Sequence, residues 1–292
     1  MYLLFSHITV FSILFIASVF DLKTTEVPDV FPAAGIVGGI VLHLMASLPQ
    51  LNIDTLFSIQ TLLTNPVTYF QALGDPLLLS LVVGVVFSII GWSMYFTNMW
   101  GGADAFLLSM IGFGAPFPVS GVQLLYPMEF LFNMVFAGFL YTMVFAVYKA
   151  AWRPEVFSLT LKKIEEERKR VLVEVSAVSA FSLVNMIHSP VVGASTFVMF
   201  LLLIIVYRFL MVIQEEVMVE EVAVEELEGG EVLGKEEELG GKIKGITEEE
   251  IKELDKDEVE IREGIRFVPV FLIAFLITEF TSGFLLLFYL FN

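Results

Sequence analysis

The sequence predicts an all-α polytopic membrane protein, with six to eight transmembrane helices and a small cytosolic α+β insert. Three observations carry this. The 292 residues are 57% hydrophobic with a mean hydropathy of +0.82, whereas ordinary soluble domains are about 45–50% apolar. The excess gathers in runs of about 18–24 residues, the length that crosses roughly 30 Å of hydrocarbon. Charge is also segregated: most of the acid behind the net charge of −17 lies in one block near the C-terminus.

Taken in order, residues 2–20 form the first apolar run. No Lys or Arg precedes it and Asp21-Leu22-Lys23 follows without a small-residue cleavage site, so it reads as a permanent span rather than a signal peptide. A polar turn from Asp21 to Asp29 leads to span two over 31–48, with Pro28 and Pro32 around its start, where proline is tolerated. Residues 49–75 make a loop with Asp54 and Asp75 but no Lys or Arg. Span three covers 76–97. Span four, 104–118, is short and carries Gly112, Gly114, Pro116 and Pro118, which predicts packing inside the bundle rather than against lipid. Span five covers 127–148.

Beyond it the expected organisation changes. The membrane core over 1–148 gives way to a basic segment, 149–170, with seven Lys and Arg. An apolar stretch over 171–210 is broken at His188-Ser189-Pro190 and reads as a hairpin of two spans, with His188 expected to cap its turn. An acidic domain, 211–266, and a last helix, 267–292, complete the chain. Within the acidic domain, alternation at 217–224 and 259–262 suggests strands, Glu228-Gly229-Gly230-Glu231 a turn, and Thr247-Glu248-Glu249-Glu250 the start of a short helix.

The positive-inside rule orients the scheme. With the N-terminus outside, all 16 Lys and Arg fall on the cytoplasmic side or at its interface. Asp21 then follows one crossing and Asp104 three, so both lie at the cytoplasmic end of the bundle.

Composition also excludes. Without cysteine there is no disulfide, no cysteine-ligated zinc and no thiol catalysis. The three histidines, His7, His43 and His188, are widely separated, so no metal site and no cofactor are expected. No basic face is available for phosphates, so nucleic acid is not an expected partner; the lipid bilayer is.

The chemistry therefore rests on carboxylates. Two close carboxylates cannot easily both ionise; they share a proton, and one can activate water while the other protonates a carbonyl or a leaving amine. Asp21 and Asp104 are the pair that topology can bring together. Gly101 and Gly102 are expected to turn the backbone tightly and to let a substrate strand approach, with Ala103 completing the turn. Asp104 falls near a helix N-terminus, where an anion is favoured. A bland reading competes: an interfacial Asp is often only a helix cap. A second competitor is a proton- or ion-coupled transporter, since intramembrane carboxylates also mark ion pathways. Against it, the two aspartates lie at one face rather than at mid-membrane, and no inverted repeat is visible. Lys23, Glu26 and Asp29 are candidate substrate-proximal residues, although Glu26 and Asp29 read more readily as cap and turn residues. Glu279, in the last span, is expected to face the bundle or the outer interface.

These residues resemble a known family. Asp21-Leu22-Lys23-Thr24-Thr25-Glu26-Val27-Pro28-Asp29 is similar to the first active-site segment of the type IV prepilin peptidases. Gly101-Gly102-Ala103-Asp104 resembles their second motif, with Ala103 in place of the commoner glycine, a variant that the archaeal branch accommodates. Glu263-Gly264-Ile265-Arg266-Phe267-Val268-Pro269 is similar to the segment before that branch's last span, with Arg266 where proline is expected. The resemblance implies an archaeal preflagellin or prepilin peptidase, a membrane aspartyl endopeptidase with catalytic Asp21 and Asp104. It would remove the short basic leader of pilin-like or flagellin precursors at the cytoplasmic face. The absence of cysteine implies peptidase activity alone, without the methylation that bacterial relatives often add. The acidic segment 215–263 could concentrate a basic leader by electrostatic steering, with Glu236, Glu237 and Glu238 as the patch to test.

Overall fold

The computed structural model describes residues 1–48, 76–97, 99–118, 125–224, 227, 232–233, 248–251, 258–262 and 264–281. Loop 49–75, with Asp54 and Asp75, the Gly229-Gly230 turn, Thr247, the 236–238 patch and the end of the last span lie outside them.

The chain forms two compact units: Met1–Tyr141 together with the chain from Arg266 onward, and Thr142–Ile265. The first contains α1 (Tyr2–Thr24), α2 (Val30–Ser47), α3 (Pro76–Phe96), α4 (Gly102–Gly114), the first part of α5 (Tyr126–Ala151), and α10 (Val268–Thr281). The second contains the rest of α5, then α6 (Glu155–Glu166), α7 (Arg168–His188) and α8 (Pro190–Val212). A π-helical turn (Ile213–Val217), β1 (Val219–Ala223), β2 (Val232–Leu233), α9 (Glu248–Ile251) and β3 (Glu258–Arg262) follow.

Among the described residues six helices, α1, α2, α3, α5, α7 and α8, are long and apolar enough to cross a membrane; α4 and α10 are shorter apolar helices. This is the polytopic all-α architecture the hydropathy predicts. Several boundaries follow from local chemistry. Helix α1 ends where Thr25 takes the left-handed conformation at φ 60° and its N–H closes on the Asp21 carbonyl at 3.0 Å. Helix α8 starts with Pro190 behind Ser189, whose hydroxyl accepts from the Val192 N–H. The cap at this break is thus Ser189, one residue past the expected His188.

The core of the first unit is built around α4. Ala105, Leu107, Leu108 and Met110 on this one helix are all fully buried, as its glycine and proline content predicts. Small residues bring α3 against it. A Cβ on Gly91 would lie 2.9 Å from the Ala105 carbonyl oxygen, and one on Gly112 would lie 2.9 Å from the Gly84 Cα. Gly39 of α2 approaches the Gly114 Cα equally closely. Without a water-driven hydrophobic force in the bilayer, such close backbone packing is what holds helices together.

A polar cluster ties α10 to α1 and α5. The Tyr126 hydroxyl donates to Glu279, which also lies 3.4 Å from the His7 ring. Asn133 donates to Thr278 at 3.0 Å, and His7 contacts the Phe117 carbonyl at 2.8 Å. Glu279 faces the bundle, where a membrane carboxylate is best accommodated.

In the second unit, α7 and α8 form an antiparallel hairpin. Arg208, fully buried, bridges Glu174 at 2.9 Å and Glu167 at 3.2 Å at the end away from the Ser189 turn. The sheet has the order β1-β3-β2, with β1 antiparallel to β3 in the register Val222↔Val259. Val259 is buried among Val224, Leu227, Ile251 and Ile261, so the described parts of the acidic stretch build a small α+β element. Helix α6 buries Val156 and Thr160 while leaving Phe157 and Leu161 exposed.

Candidate functional site

Asp21 lies in the last turn of α1, placed there because the apolar run ends and Thr25 stops the helix. It is 7% exposed. Its Oδ2 accepts the backbone N–H of Val268, at the start of α10, at 3.1 Å. The Arg266 guanidinium donates to the neighbouring Leu22 carbonyl and acts electrostatically on Asp21. Tyr141 of α5 lies within electrostatic range of both.

Asp104 sits at the third position of α4, partly buried. One carboxylate oxygen, Oδ2, accepts the Gly101 N–H at 3.2 Å, half of the reciprocal bonding of a capping box. The capping reading is therefore true of this oxygen. It does not use up the group, because an ionised carboxylate has about four acceptor positions. The fold brings Asp104 and Asp21 into electrostatic range of each other, from helices separated in sequence by two others among the described residues.

The glycines are placed differently from the expectation. Gly101 has φ −71° and ψ 159°, extended backbone open to any residue. A Cβ on Gly101 would meet only the Asp104 Oδ2, at 3.4 Å, and one on Gly102 only the Tyr95 ring, at 3.6 Å. The turn does not need glycine; what the glycines leave is open space beside Asp104. Ala103 is partly buried against the core. Lys23, Glu26 and Asp29 are exposed at the end of α1 and the start of α2. Among the described residues their side chains make no ion pair, and Asp29 precedes α2 without capping it through its side chain. They are not drawn into the Asp21–Asp104 neighbourhood by any contact in the fold.

Sequence reading missed the part played by Arg266 and by the Val268 N–H. The one available signal was the arginine standing where a proline was expected. Among the described residues no group of His, Asp and Glu is arranged to hold a metal ion.

The fold defines a multi-pass membrane protein in which two helix-end carboxylates lie within electrostatic range of each other. Residues 8–147, which contain both aspartates, match the family model of the type IV leader peptidase family. No curated protein and no solved structure matches the chain. The family supports a peptidase of the prepilin type, acting on pilin-like precursors, and does not favour an ion-coupled transporter.

Proposed function

We propose that the chain is an aspartyl endopeptidase in which Asp21 and Asp104 form the catalytic pair. It cuts the short basic leader from type IV pilin-like or archaeal flagellin precursors at the cytoplasmic membrane face. The observation that carries this is the convergence of two carboxylates from α1 and α4 inside the region that matches the leader peptidase family.

The chemistry needs no covalent intermediate. The ionised member of the pair takes a proton from water as its oxygen bonds to the scissile carbonyl carbon. The protonated member gives its proton to the carbonyl oxygen. The resulting gem-diol collapses with proton transfer to the leaving amine, the C–N bond breaks, and the pair returns to its shared-proton state. The open space beside Gly101 and Gly102 would admit the extended backbone around the cut. The exposed Lys23, Glu26 and Asp29 are the candidate contacts for the leader. Where the two aspartates share a proton, acid and base roles belong to the pair. The division into a membrane core, 1–148, and a separate acidic domain, 211–266, is part of the same proposal.

The test is direct. The full-length protein in nanodiscs is incubated with a pilin-like precursor, and the product's N-terminus is read by mass spectrometry. A single cut between a basic leader and the hydrophobic helix supports the assignment. Intact precursor, with the protein shown to be folded, would overturn it.

A further inference from the structure

We propose that the segment Arg266–Val268, outside the family-matched region, is a positioning strap for Asp21. The inference rests on the reading of Asp21 as catalytic. Asp21 sits in the last turn of α1, where the final four carbonyls lack helical partners and the chain would fray. Three contacts prevent this. Thr25 N–H closes on the Asp21 carbonyl, Arg266 takes the Leu22 carbonyl, and the Val268 N–H takes the Asp21 side chain. Two of the three come from a segment almost 250 residues later in the chain (the Asp21–Val268 separation is 247).

The strap is itself held. Val268, Val270, Phe271 and Ala274 are buried in the first unit's core, and the far end of α10 is fixed through Glu279 and Thr278. Helix α10 is thus anchored along about 20 Å, and its N-terminal end can fix the rotamer of Asp21. A carboxylate held by a backbone N–H keeps one oxygen oriented and leaves the other for chemistry. Among the described residues, the Arg266 cation, Asp104 and Tyr141 are the titratable groups that face Asp21. Simple capping of α1 would use the same Leu22 contact but would not involve the Asp21 side chain or the charge.

Three variants of the full chain in nanodiscs separate these cases, with Asp21→Asn alongside. Arg266→Gln removes the charge, Arg266→Lys keeps it, and Val268→Pro removes the donor at a first helical position that tolerates proline, with Tm measured on the same sample because the Val268 side chain is also buried. Arg266→Gln and Val268→Pro are expected to lower kcat by about tenfold to a hundredfold, the scale of a misplacement of about 1 Å, with KM nearly unchanged. Arg266→Lys should recover most of the rate, and the pH–rate profile should move in Arg266→Gln but not in Arg266→Lys. Wild-type kcat in Arg266→Gln and Val268→Pro, with Asp21→Asn inactive, would overturn the strap and leave the aspartyl reading intact. A lowered Tm in Arg266→Gln with unchanged kcat and pH profile would reduce it to a helix cap. An active Asp21→Asn would overturn the aspartyl reading instead.

Discussion

Gly91→Ala tests how the fold holds Asp104. The added Cβ would lie 2.9 Å from the Ala105 carbonyl oxygen, 3.0 Å from its Cα and 3.3 Å from its carbonyl carbon. All three are backbone atoms, so no side-chain rotation relieves the clash. Restoring ordinary contact requires α3 and α4 to part by about 0.5–1 Å, because interiors packed at crystal-like density transmit such a shift rather than absorb it. Overpacking of this kind costs about 1–3 kcal/mol. Ala105 is bonded to Asp104, so the displacement reaches the carboxylate directly. A misplacement of about 1 Å can cost about a hundredfold in rate, so this shift should cost about tenfold or more. Cleavage would be followed under single-turnover conditions in nanodiscs, with thermal unfolding measured on the same sample. Gly38→Ala is the control: its added Cβ meets only the Thr9 methyl, at 4.0 Å. Wild-type cleavage and Tm in Gly91→Ala would refute the reasoning, as would equal losses in both variants.

Three further predictions follow from the same geometry. Gly101→Ala should fold with unchanged Tm, because its backbone is extended and its Cβ has room; a raised KM in precursor cleavage would mark the vacated space as the substrate's path, and an unchanged KM would place that path elsewhere. Thr25→Gly removes a β-branched residue from φ 60°, a conformation that costs about 1–2 kcal/mol for an L-residue; part of that is offset by glycine's greater freedom when unfolded, so a modest rise in Tm is expected and a fall would contradict it. Lys163, outside the spans, has its ammonium raised above the ordinary value of 10.5 by the hydrogen bond to Glu215, 2.7 Å away. A raised folded value means that the lysine's contribution is complete below 10.5 and is lost only as pH rises through the folded value; Lys163→Met should therefore shift Tm by the same small amount from pH 6 to 9, and a loss that disappears within that window would argue against the pair.

Much of this architecture is legible in the chain because membrane helices obey a length rule and a composition rule. The long spans, the His188-Ser189-Pro190 break and the interior position of α4 all follow from local residues. The proposal of Asp21 and Asp104 as the pair starts from the same local reading, since one closes and the other opens an apolar run. What resisted reading was tertiary. Nothing local to Val268 announces that its N–H meets a side chain 247 residues earlier. Nothing near Glu279 names Tyr126 and His7 as its partners. The glycines of the second motif misled in another way: glycine invites an argument from backbone freedom, yet Gly101 is in ordinary extended backbone with room for a Cβ. Among the described residues the left-handed conformation is instead at Thr25, a residue type that gives no hint of it.

The most direct test of the central claim is precursor cleavage by Asp21→Asn and Asp104→Asn, with Asp54→Asn as the control. The account predicts loss of cleavage by several orders of magnitude in each of the first two, with their Tm near wild type, and full activity in the third. Undiminished cleavage by either Asp21→Asn or Asp104→Asn would contradict the two-carboxylate mechanism.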